Sequence, residues 1–132
     1  VIIFRLRTTL RVHPDYLEIG CAGLYSRPEA LRLGEMAYRE AALAGRECLL
    51  IDVRQVTGRV PGIFDRFELG TRIARHYRDS EPRVRLALLG HEPMIHPERF
   101  GELVARNRGA DARVFTDQDA ALAWIRGRGQ GG

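Results

Sequence analysis

Lysine is absent from the 132 residues: all 21 basic side chains are Arg. Serine occurs only at 26 and 80, cysteine only at 21 and 48, and tryptophan only at 124. Each shortage excludes something. Neither serine lies in a G-x-S-x-G turn, so no nucleophile elbow is available. Two cysteines cannot supply a four-ligand metal site, and each sits in an apolar run that reads as a strand. Buried free thiols account for them better than a disulfide. No run approaches the roughly 20 apolar residues that span a bilayer. The opening VIIFRLRTTL is broken by Arg5 and Arg7 too soon for a signal-peptide core. A cytoplasmic protein without integral membrane association is therefore expected. The chain opens on Val1, which reads as a trimmed start or an artificial boundary.

What is present fits an ordinary globular domain. Hydrophobic residues make up 45% and charged residues 29%, enough apolar surface for a core without staples. A chain of this length buries about two thirds of the surface it exposes when unfolded. The net charge is +4, but the Arg residues are interleaved with 17 acids. With no basic cluster, nucleic acid is not expected as a partner. The Arg bias itself is read as coding composition.

Alternation places Ile2, Phe4 and Leu6 on one side of an opening strand, with Ile3, Arg5 and Arg7 on the other. Leu10 to Val12 and Leu17 to Cys21 flank His13-Pro14-Asp15, an antiparallel pair about a turn. Ser26 and Glu29 have capping-box spacing before a helix with Ala30, Leu33, Ala37, Ala41 and Ala44 on one face. Gly45 is its left-handed stop. Cys48 to Val53 reads as a strand covered on both faces. From Pro61 a second helix aligns Ile63, Phe67, Gly70, Ala74 and Tyr77. Val84 to Leu89 is a strand. Pro97 opens a helix with Phe100, Leu103 and Val104 inward and Gly109 at its exit. Ala112 to Phe115 is a short strand, and Thr116 with Asp119 caps a last helix anchored by Leu122, Trp124 and Ile125. The order β-β-α-β-α-β-α-β-α predicts an α/β fold, with a mixed, mostly parallel sheet of about five strands and four helices. Residues 1–126 are expected to form one domain and 127–132 a loose tail.

Ligands in such sheets lie beyond the carboxyl ends of the strands. The loop from Arg54 to Gly62 is the candidate: Gly58 and Gly62 allow close backbone approach, a helix N-terminus faces it, and Arg54 and Arg59 add positive charge. The phosphate-loop patterns are missing, so a structural turn is the plainer reading. HEPMIH resembles a zinc-protease motif, but His91 and His96 are one residue too far apart and Pro93 opposes a helix between them. Loop histidines are expected, and His13 and His76 have no partner pattern. Asp52, closing a strand, is better used in a hydrogen bond to loop N–H groups than as a base. Ser26 is a helix cap and Trp124 a core residue. No nucleophile is assembled with a base, so no enzyme, no cofactor and no metal are expected.

The segments YLEIGCAGLYS, LLIDVRQVTG, RLALLG and ARVFTDQDAALAWI, in that order from Leu10 to Arg126, resemble the STAS fold and more closely its SpoIIAA-like branch, itself similar to CRAL-TRIO lipid-binding domains. The resemblance implies a non-enzymatic regulatory or protein-binding module. STAS antagonists carry Asp-Ser-Ser-Gly at the start of the second helix, where a Ser is phosphorylated. Here the chain reads Val56, Thr57, Gly58, Arg59, Val60, Pro61, Gly62, so Thr57 is the sole nearby hydroxyl and the usual phospho-serine switch is not expected. The expected partner surface is Arg54, Thr57, Gly58, Arg59, Gly62 and Phe64, with exposed Phe64 and Leu69 suited to a homodimer. The lipid-binding relatives imply an alternative: a carrier of a small apolar ligand, in a cavity lined by Phe64, Phe67, Tyr77, Met94 and Phe100.

Overall fold

The computed structural model describes residues 6–127. Its elements run β1 (Leu6–Val12), β2 (Leu17–Leu24), α1 (Arg27–Leu43), β3 (Cys48–Thr57), α2 (Ile63–Asp79), β4 (Arg85–Leu89), α3 (Phe100–Asn107), β5 (Ala112–Phe115) and α4 (Gln118–Arg126). They form one sheet in the order β1-β2-β3-β4-β5, antiparallel between β1 and β2 and parallel thereafter. The expected α/β architecture is therefore the observed one. The predicted facing of residues 2–5 and the tail beyond 127 lie outside the described residues.

Because each crossover advances one strand in the same direction, α1, α2 and α3 fall on one face of the sheet. Leu17, Ile19, Leu49, Ile51 and Leu86 meet Ala37, Ala41, Ala74 and Ala105 there. On the other face Cys48, Leu50, Ala87 and Leu89 meet Ala121 and Ile125 of α4. Cys21 belongs to the first cluster and Cys48 to the second, both buried and neither in a disulfide among the described residues.

The local signals succeeded unevenly. Gly45, at φ 67°, follows α1; its N–H bonds to Ala42 and that of Arg46 to Ala41, which satisfies the last carbonyls of the helix. Ser26 occupies the N-cap without a side-chain bond, and Glu29 instead accepts from the Leu6 N–H at 3.3 Å. The last helix is capped by Asp117, accepting from Ala120 N at 2.9 Å, rather than by Thr116. α3 starts at Phe100, after Arg99 at φ 56°, so Pro97 lies before it. Leu103 is exposed and Ala105 takes the inward position. Trp124 is only half-buried, with the Arg85 guanidinium 4.0 Å from its ring centre.

Two corrections bear on the site. A bulge lets β3 continue past Asp52: Gly20 pairs with Asp52 and Ala22 with Gln55, so the strand runs through Thr57. The connecting loop shrinks to residues 58–62. The inward stripe of α2 is also rotated, with Arg66, Gly70 and Ala74 buried and Ile63 60% exposed. Gly70 is needed there because a Cβ would lie 2.7 Å from the Gly101 carbonyl and 2.9 Å from Val104 Cβ. The helices α2 and α3 touch through backbone at that point.

Candidate functional site

The four parallel strands end at one rim, where the β3–α2 and β4–α3 loops face each other. Between them lies a cleft of about 230 Å³ lined by Arg54, Val56, Thr57, Gly58, His91 and Glu92 together with Val53, Val60, Pro93 and Met94. Gly58 opens the β3–α2 loop at φ 95°, a left-handed turn that glycine adopts without penalty, and a side chain there would press on Leu24 at 3.1 Å. Gly62 instead has extended backbone at the N-cap of α2, with open space around it.

The positive charge expected of this rim is largely spoken for. Arg54 grips Asp52 from Nε at 3.0 Å and Nη2 at 2.8 Å, and its backbone N–H adds a third bond at 3.0 Å. Partial burial works to raise the Asp52 pKa, but the bonds from the Arg54 side chain and backbone outweigh it and leave the carboxyl below its ordinary range. Arg59 donates to Asp65 at 3.1 Å and lies 5.3 Å from the centre of the Tyr25 ring. The Tyr25 hydroxyl donates to the same carboxylate oxygen at 2.9 Å. Burial first, then that bond, push the tyrosine pKa up. The arginines of this rim are thus each paired with a carboxylate, Arg54 with Asp52 and Arg59 with Asp65.

One side chain not singled out from the sequence holds the rim together. Arg66, only 8% exposed, donates from Nε to the Pro61 carbonyl at 3.0 Å, from Nη1 to Met94 at 3.1 Å and from Nη2 to Pro93 at 3.0 Å. It fastens the two loops to α2. Among 21 arginines it carries no special mark, but a stripe drawn through Arg66, Gly70, Ile73 and Ala74 would have found it.

Apolar side chains project beyond this fixed frame. Phe64 is 83% exposed, Ile63 60%, Phe67 44% and Val60 42%, all at or just before the first turns of α2. Leu69, expected outside, turns inward and lines two apolar cavities beneath α2. One, of about 130 Å³, lies toward α3, and the other, of about 170 Å³, toward α1; Pro61, Ile73, Leu86, Leu88, Met94 and Ile95 border both. Of the residues expected to line a cavity, Met94 does. Phe67 lies beneath Arg108, Tyr77 beneath Arg83 and Phe100 beside His96, all outside both linings.

His91 lies at the polar cleft and His96 at the apolar cavity, where its Nδ1 accepts from Glu98 N. Among the described residues no cluster of His, Cys, Asp and Glu could hold a metal ion, and no helix is long and apolar enough to cross a membrane. His13, without a partner pattern in the sequence, pairs with Glu18 at 2.8 Å and stacks on Tyr16.

Solved structures supply the comparison. An anti-sigma factor antagonist from Mycobacterium paratuberculosis superposes with a TM-score of 0.61 at 16% identity, over 92% of this chain and 94% of its own. A DUF3478-family protein from Shewanella loihica, described as having a SpoIIAA-like fold, gives 0.51 at 19% identity, over 95% of this chain and 97% of its own. The fold is SpoIIAA-like. No protein-family model matches the chain, and neither does any curated protein. The rim just described lies at the start of α2, where the chain reads Thr57, Gly58, Arg59, Val60, Pro61 and Gly62.

Proposed function

We propose that this chain is a regulatory protein-interaction module whose partner docks on the β3–α2 loop and the first turns of α2. The observation that carries the reading is the exposure of Phe64 and Ile63 on a backbone already fixed by Arg66, Asp65 and Tyr25. Large apolar side chains held out from a rigid frame are binding anchors, because little ordering entropy remains to be lost on association. Arg54, Thr57, Gly58, Arg59 and Gly62 frame that patch. Support also comes from the fold neighbour, itself an anti-sigma factor antagonist. No serine stands at the helix start, so the switch works without phospho-serine. In the absence of a partner the same patch closes a homodimer.

The test is capture from a native lysate with wild type and with Phe64→Asp, alongside light scattering. The surface is exposed, so the variant should melt within a degree or two of wild type, lose the retained protein and run as a monomer. Retrieval of the same protein by both forms overturns the assignment.

A second reading rests on the paired cavities beneath α2, which support a carrier of a small apolar ligand. Cavities of about this size, walled by aliphatic side chains, stay dry and accept benzene-sized guests. Native mass spectrometry of gently purified protein should then show a copurifying mass, removed by Ile73→Trp. A single mass equal to the bare chain removes this reading.

A further inference from the structure

The two edges of the sheet are finished differently. On β5 the outward backbone of Val114 is taken up by α3 and the residue before it: its N–H donates to Glu102 Oε2 at 2.7 Å and its carbonyl accepts from Arg99 Nη1 at 2.6 Å. On β1 the comparable bond, among the described residues, is that from Leu6 N to Glu29. The hairpin decides which other groups face out. His13 N bonds to Tyr16 O at 2.9 Å, and hydrogen-bonded pairs alternate along an antiparallel ladder. Stepping back by two through the unbroken register, Arg11 bonds Glu18, Thr9 bonds Gly20 and Arg7 bonds Ala22. The N–H and C=O groups of Thr8, Leu10 and Val12 therefore point away from the sheet.

The side chains sort by the same period. Leu6 packs on the core beneath α1, which puts Thr8, Leu10 and Val12 on the α1 side. Leu10 is 45% exposed and Val12 56%. A groove of about 170 Å³ lies on the same side nearer the start of the strand, lined by Leu6, Thr8, Glu29, Arg32, Leu33 and Met36. Arg7, Thr9 and Arg11 occupy the other side, and all three are exposed.

Proteins guard open edges by shortness, proline, bulges, cover or charge. β1 has seven residues, no proline and an unbroken register. Charge is the guard it retains, and both charges, Arg7 and Arg11, are positive with no acid on the strand. A second copy of β1 would bring its own arginines to the same junction. A strand with acids on that side would pair with them.

We propose that the outer edge of β1 is a strand-addition site for an extended partner peptide that alternates apolar and acidic residues. Its backbone bonds the outward groups of Thr8, Leu10 and Val12; its apolar side chains cover Leu10 and enter the α1 groove; its carboxylates meet Arg7 and Arg11. This site shares no residue with the α2 patch, so the two assignments stand or fall separately.

The experiment is fluorescence anisotropy of the full chain with labelled heptapeptides that alternate Val with Glu or Val with Lys. Exchanging two cross-strand attractions for two repulsions should favour the Glu peptide by about tenfold. Leu10→Pro removes an outward N–H that β2 does not use, and should abolish binding while the circular dichroism and melting curve persist. The double variant Arg7→Glu, Arg11→Glu should reverse the preference, which keeps the test decisive if the proline variant fails to fold. Equal affinity for both peptides, or full binding by folded Leu10→Pro, overturns the proposal. So does a wild-type dimer in sedimentation that Leu10→Pro makes monomeric, since the occupant would then be a second copy.

Discussion

Arg66 Nη2 reaches the carbonyl of Pro93 at 3.0 Å, joining a helix to a loop 27 residues further along the chain. With the bonds to Pro61 and Met94 it uses one guanidinium to close three loop carbonyls. Burial, the largest influence, lowers the Arg66 pKa against smaller opposing effects of Tyr25 and Asp65, while the three carbonyls satisfy its buried N–H groups. The consequence is that one side chain ties both rim loops to α2.

Arg66→Met should therefore destabilise strongly. It strands three carbonyls that had charge-assisted donors, worth about 3 kcal/mol in sum after partial rehydration. For a chain of this size that is a fall in Tm on the order of 10 °C. Arg66→Lys keeps the charge but not the fork, and should recover less than half. Thermal melts of the three proteins check this, and a Met variant that melts with wild type would show that the bonds contribute nothing net.

Gly70→Ala should destabilise although alanine is the better helix former. The gain in propensity is about 1 kcal/mol. Against it, the new methyl meets the Gly101 carbonyl at 2.7 Å, and backbone cannot step aside as a flexible side chain would. Overpacking of this kind costs about 1–3 kcal/mol; against unyielding backbone the upper half of that range applies, so the net change is unfavourable by about 1–2 kcal/mol. Urea titration should give a lower midpoint at unchanged slope.

Most of the element order was legible because apolar period and punctuation agreed: Gly45 ended α1, Gly109 ended α3, and the short hydrophobic runs became β3, β4 and β5. The site was less legible because its organisation depends on distant contacts. The Arg54 to Thr57 segment looks like loop by its polarity, yet Gln55 to Thr57 pair with Ala22 to Leu24 after a bulge that no local residue announces. Arg54 and Arg59 read as free positive charge until Asp52 and Asp65 are placed against them. Arg66 looks like surface until the cis-proline loop is brought above it. Propensity fixes neither partner nor depth.

His76 predicts a loss of stability toward acid. Burial, the largest influence, holds its pKa below the ordinary 6.5, with Arg75 and Arg72 adding to the effect against Glu35. The ring is tilted against Tyr38 at 5.5 Å between α1 and α2. Below pH 6.5 the unfolded chain binds the proton first, so the unfolding free energy falls as pH drops toward the folded value. His76→Phe, which cannot titrate, should flatten the slope of denaturation midpoints between about pH 7 and 5. Asp52 acts in the same sense lower down: its contribution is full above 3.8 and fades as pH falls through its depressed folded value.

The two cysteines give the last prediction. Cys21 is 3% exposed on the helix-rich face and Cys48 wholly buried beneath α4, so the sheet itself stands between them and no bridge can form within one chain. Burial, and after it the nearby Asp52 charge, push the Cys21 thiol up to about 12, which keeps it protonated at neutral pH. The thiolate is the reactive form, so alkylation should track opening of the core rather than thiol chemistry. In native buffer a maleimide should label neither cysteine within the time that labels both in denaturant. Prompt labelling of Cys21 alone would mean that the region where β2 meets α1 opens locally, and would place the weakest part of the fold beside the rim.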